Sequence, residues 1–221
     1  MRYRWWFVIA GGLFLTGMLL GLLVPIGAVG DVLSENLAVL EELGATLAPF
    51  QATTAIFIFF KNTFALLFSF VFSPILCLMP VLALLANGGL LSLVSVIVIE
   101  EESLGLLLAG ILPHGVLEIP ALIIGEAAAL SFGAMVVMLL VRKESRTVLV
   151  SVVKQRILLA FVIFIITGIF PTIIVLALLR EQTRAIFLPN LKQNLKFLGI
   201  AIALLVPAAI IETFVTPLLL Q

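Results

Sequence analysis

The sequence predicts an all-α integral membrane protein, a polytopic helical bundle of five or six spans in one membrane domain covering residues 1–221. Three observations carry that reading. The chain is 63% hydrophobic and 11% charged, against nearer half and a quarter in soluble domains. Its mean hydropathy is +1.36. Its apolar runs are long enough to cross a bilayer, because a helix rising ~1.5 Å per residue needs about 20 residues to span a ~30 Å hydrocarbon core.

Composition also excludes. Twelve basic and twelve acidic residues cancel, so nothing favours a nucleic-acid partner. The single cysteine, Cys77, cannot form an intrachain disulfide or a cysteine-ligated metal site. It reads as a small apolar residue. No internal repeat divides the chain.

The elements follow in order. Arg2 and Arg4 precede Trp5 and Trp6, a basic and aromatic interface that places the N-terminus in the cytoplasm. Phe7 to Val29 carries no charge and is the first span. It is too long for a signal-peptide core, so it reads as an uncleaved anchor. Gly17 and Gly21 form a small-xxx-small face, which predicts a homodimer. Residues 31–51 read either as a helix lying in the interface or as a solvated helix packed on the spans, with Leu33, Leu37, Leu40 and Leu47 near one face.

The apolar tract from Ala52 to Ile99 exceeds one span. Lys61-Asn62 and Asn87-Gly88-Gly89 interrupt it, so Thr63 to Ala86 reads as a span kinked at Pro74 and Pro80. Leu90 to Ile99 is then half a span, closed by Glu100-Glu101-Glu102 at water. Ser103 caps a short helix from Leu104 to Leu112. Pro113 opens the next helix at its favoured first position, and Pro120 kinks it. Together these predict a broken or re-entrant element near residues 88–120.

Arg142 to Arg146 is the densest basic loop and reads as cytoplasmic. Ile157 to Leu179 spans back. Residues 180–196 form a second interfacial segment, with Leu188, Leu191, Leu195 and Leu198 on one face. Phe197 to Leu219 is the last span.

Ionisable groups at membrane depth are costly, at about 2.5–3.5 kcal/mol each near a helix centre, and are functional candidates for that reason. His114 is the only histidine. Glu118 follows at i+4 on the same helix face. Glu212 lies in the last span. One histidine with two carboxylates suits zinc or another divalent ion. Two other readings stand beside a metal site: hydrogen-bonded glue between helices, and proton or ion handling. Asn62 and Asn87 complete the polar set. Glu126 falls about 80° round the helix from Glu118 and is a weaker candidate. Glu100 to Glu102 reads as a solvated end. The sequence has no Gly-x-Ser-x-Gly elbow and no His-Glu-x-x-His motif.

The run Pro113-His114-Gly115, continuing to Glu118-Ile119-Pro120-Ala121, resembles the signature of the stage II sporulation protein M family. Lys61-Asn62, Asn87-Gly88, and Ile211-Glu212 with Thr216-Pro217 resemble its other motifs in order. This chain has Asn62-Thr63 where many members carry Asn-Asn. The resemblance implies an all-helical polytopic membrane protein in which His114, Glu118 and Glu212 form one site. Sporulation members are linked to a cell-wall-remodelling complex, where they help hold partner enzymes. The resulting expectation is a membrane scaffold or accessory protein with a buried divalent-metal site. An intramembrane metal-dependent hydrolase and a small-ion or proton conductor are the alternatives. The expected partners are the lipid bilayer, a second copy of the chain, and a membrane or cell-wall enzyme.

Overall fold

The computed structural model describes residues 3–25, 48–141 and 181–220. The described chain is helical: α1 (Arg4–Gly21), α2 (Ala52–Phe72), α3 (Leu78–Glu101), α4 (Leu104–Val141), α5 (Glu181–Phe214) and the single turn α6 (Thr216–Leu219). Five of these are long and apolar enough to cross a membrane. The chain is a multi-pass membrane protein.

α4 is the axis of the bundle. Its spanning window is 61% buried, against 17–33% for the other four. A helix that is hydrophobic all round belongs in a core. Ala121, Ala127, Ala128 and Ala129 are fully buried, and their small side chains let neighbours approach on every side. Phe70 of α2 stacks on Phe132 of α4 at 4.7 Å, and Phe187 of α5 meets the same ring edge-on at 6.2 Å. The outer faces of α1, α2 and α3 expose Leu, Ile, Phe and Val. Lipid is the solvent those side chains suit.

Paired contacts fix the helix directions. Asn62 reaches Glu118 and Ser69 reaches Glu126, so α2 and α4 run parallel. His114 meets Thr216 while Phe132 meets Phe187, so α4 and α5 run antiparallel. Gly17 abuts Leu85, and Gly21 abuts Gly89, so α1 and α3 run parallel. Glu102-Ser103 turns α3 into α4, and the Ser103 hydroxyl accepts from Leu106 N–H at 3.1 Å. Ser103 is the N-cap predicted there.

Several helix ends differ from expectation. Lys61-Asn62 lies within α2, and Asn87-Gly88-Gly89 lies within an unbroken α3. The break falls instead at residues 73–77, where Pro74 ends helix propagation and Leu76 and Cys77 take positive φ of 51° and 57°. Pro80 sits in the first turn of α3, where its missing N–H costs nothing. Thr63 to Ala86 is therefore not one kinked span but parts of α2 and α3, and Leu90 to Ile99 is no half-span. Pro113 lies inside α4, nine residues from its start at Leu104, rather than opening a helix. Neighbouring helices re-satisfy the backbone that proline frees, so spans tolerate it. The interruption near residues 88–120 is the turn at Glu102-Ser103, with a full-length helix on either side.

The glycines of α1 and α3 serve another purpose. A Cβ at Gly17, Gly21 or Gly88 would collide with the facing backbone. They set a close parallel crossing within one chain. The face expected to dimerise is thus occupied by α3. The segment expected in the interface at residues 180–196 is also different. Residues 181–196 are the first half of α5, with Phe187, Asn194 and Leu198 buried and Lys192 and Lys196 exposed. The expected interfacial helix at residues 31–47, the basic loop Arg142 to Arg146 and the span Ile157 to Leu179 lie outside the described residues.

Candidate functional site

The site is built where α2, α4 and α5 meet. His114 and Glu118 share one face of α4 because they are one turn apart. His114 Nε2 and Glu118 Oε2 are 3.9 Å apart, with side chains 16% and 34% exposed. Glu212 enters from the last turn of α5. One donor atom from each of the three lies within 4.8 Å of the others. No other group of three His, Cys, Asp or Glu side chains meets that condition among the described residues.

Two further side chains hold the first pair in place. Asn62 of α2 donates from Nδ2 to Glu118 Oε1 at 2.9 Å. Thr216 of α6 lies 3.3 Å from His114 Nδ1. Thr216 Oγ1 donates to the Ile211 carbonyl at 3.4 Å. With Nδ1–H donating to the Thr216 oxygen, Nε2 would be the ring nitrogen left to ligate an ion. A second partner on the far ring nitrogen is how a ligating histidine is usually oriented.

The three side chains line a cavity of about 480 Å³. Its walls come from α1 to α5 and are mostly apolar, with Leu66, Leu91 and Leu122 among them. Asn62, Asn87 and Glu126 also line it. An irregular polar interior at membrane depth is tolerated where it is enclosed by protein or wet.

A family model described as stage II sporulation protein M matches residues 10–217. The chain belongs to that family. No curated protein and no solved structure matches it.

The family's motifs carry unequal parts of this geometry. His114, Glu118 and Glu212 converge. Asn62 joins them through Glu118. Asn87 does not: its amide donates to Ala83 O of its own helix at 2.8 Å, although its side chain lines the cavity. Thr216 reaches His114, a role its hydroxyl in a Thr-Pro pair did not signal. Glu126 is far more enclosed than its position suggests, at 1% exposed, with Ser69 Oγ donating to it at 2.5 Å. The one usable signal was a single carboxylate in an otherwise charge-free stretch from Ile119 to Val141.

Chemically, the donor set fits a divalent cation. Ligands about 2.0–2.2 Å from one tetrahedral ion lie roughly 3.4 Å apart. Donors up to 4.8 Å apart therefore need to close by up to about 1.4 Å, within reach of Glu rotamers. One imidazole and two carboxylates leave a fourth position for water or a ligand. Glue remains chemically consistent with the same contacts, since a neutral glutamic acid can bond to an imidazole.

Proposed function

We propose that this family member is a membrane scaffold or accessory protein whose His114, Glu118 and Glu212 hold one divalent metal ion, zinc being the best match. The observation that carries the reading is convergence. Three groups that each cost about 2.5–3.5 kcal/mol at depth lie within 4.8 Å of one another on two helices distant in sequence. Left metal-free and ionised, Glu118 and Glu212 would repel. A dication removes that repulsion and keeps both carboxylates charged. The outer contacts from Asn62 and Thr216 support the same reading. The ion would tie α4 to α5 and stiffen the face a partner enzyme docks on.

Calorimetric titration of metal-depleted protein tests this. Zinc should bind wild type at one site per chain. His114→Ala should abolish that site, and Glu118→Gln should weaken it strongly, because an amide is a poor substitute for an anionic ligand. Equal binding by wild type and His114→Ala would refute the proposal.

A second reading is an intramembrane metal-dependent hydrolase. The cavity favours it, because it leads to the three donors and offers a route for substrate. On this reading His114, Glu118 and Glu212 would hold the ion, which would supply Lewis-acid activation of water for hydrolysis. A scaffold should copurify with a membrane or cell-wall enzyme. A hydrolase should act alone, and lose turnover but not folding in Glu212→Gln.

A further inference from the structure

Glu126 has no part in the metal reading. It is 1% exposed and lies eight residues beyond Glu118, which is about 12 Å along α4 at ~1.5 Å per residue. Ser69 Oγ donates to its Oε2. Among the described residues no cationic side chain forms an ion pair with it. It stands at the wall of the same cavity as His114, Glu118 and Glu212.

These facts constrain what occupies the carboxylate. A permanently ionised group with one hydroxyl partner is costly in a membrane interior. A proton is the smallest cation that neutralises it. The cavity supplies the route. At roughly 30 Å³ per water, about 480 Å³ has room for on the order of ten waters between the two polar ends.

We propose that Glu126 is a proton-binding site that loads and unloads through the cavity it shares with His114, Glu118 and Glu212. On unloading, the carboxyl O–H bond breaks. The electron pair stays on the carboxylate and the proton passes to cavity water. Ser69 serves both states: its hydroxyl donates to the anion and can turn to accept from the neutral acid. The titratable groups lining this path are His114 and Glu118 from α4 and Glu212 from α5, and the Lys61 charge of α2 acts on Glu212 from outside the lining. The lining residues of α1 and α3 carry no charge. The site goes beyond the metal reading and stands whether or not the three donors hold an ion.

Infrared difference spectroscopy on the full chain in lipid nanodiscs tests it. The wild type should show a neutral-carboxyl carbonyl band at acid pH that disappears at alkaline pH. The band should be absent from Glu126→Gln and shifted in Ser69→Ala, which keeps the acid if Glu126→Gln fails to fold. Ala83→Trp or Ala65→Trp, each narrowing the cavity, should slow exchange of the band in heavy water by tenfold or more. A band that ignores pH would make Glu126 a fixed neutral partner of Ser69 and overturn the proposal. No band assignable to Glu126 at any pH would do the same. Unchanged exchange in both tryptophan variants would show that the cavity is not the path.

Discussion

His114 presents its two ring nitrogens to different partners. Nδ1 faces Thr216 and Nε2 faces Glu118. The arrangement gives Thr216 a measurable role. Outer-sphere partners of a metal ligand are typically worth 10–100-fold in metal affinity. Thr216→Val should therefore weaken zinc binding about tenfold without removing the site, and Asn62→Ala should act similarly through Glu118. Titration of the two variants checks this, and affinities equal to wild type would mean the contacts orient nothing. At this scale the sequence was informative where chemistry and spacing coincide. An i,i+4 pair on one helix made His114 and Glu118 legible together. Glu212 was legible only as another costly charge seeking partners. Thr216 and Ser69 were not legible, because a lone hydroxyl in a membrane helix ordinarily bonds its own backbone, as Thr213 does to Ala209. Glu126 was underrated because an 80° offset from Glu118 mattered less once the cavity wrapped round that face of α4.

Glycine and proline decide the elements. In a soluble protein Asn-Gly-Gly or a mid-helix proline marks a stop. In a bilayer no water competes for the backbone, so the helix continues through both. That is why the apolar tract from Ala52 to Ile99 divides in the wrong places on sequence alone, and its two full spans read as one and a half. Gly88 and Gly89 do not interrupt α3; they admit α1. A consequence follows for Gly17→Leu/Gly21→Leu. Overpacking a close contact costs about 1–3 kcal/mol per site. The double variant should lower the thermal midpoint of the isolated chain by driving α1 away from α3. Its oligomeric state in detergent should not respond. A wild-type dimer that this variant dissociates would instead place the glycines between two copies. Gly133 offers a parallel case, since a Cβ there would collide with Ser73 at the turn between α2 and α3. Gly133→Leu should therefore destabilise by a similar amount.

At the scale of the whole molecule, helix directions and charge agree. α1 begins at the end of the bundle where α4 finishes, because α1 runs parallel to α3 and α3 turns back into α4. Arg4 therefore lies on the same side as Val141, and in the sequence Val141 is followed by Arg142-Lys143. Basic residues gathered at one end predict that end to be cytoplasmic. A cysteine at Tyr3 in a Cys77→Ala background should be labelled only from the cytoplasmic face, and labelling from outside alone would invert the topology. The metal reading sets a pH dependence as well. Binding requires a neutral imidazole and two ionised carboxylates. Protons compete with the ion for the same donor atoms, so affinity falls as pH drops. Metal-dependent stabilisation should be lost in the same direction. The most direct measurement is elemental analysis of the chain purified from membranes after growth in metal-supplemented medium. One divalent ion per wild-type chain, and none in His114→Ala, is the predicted result. A wild-type chain that carries no metal would contradict the account and leave His114, Glu118 and Glu212 as hydrogen-bonded glue between α4 and α5.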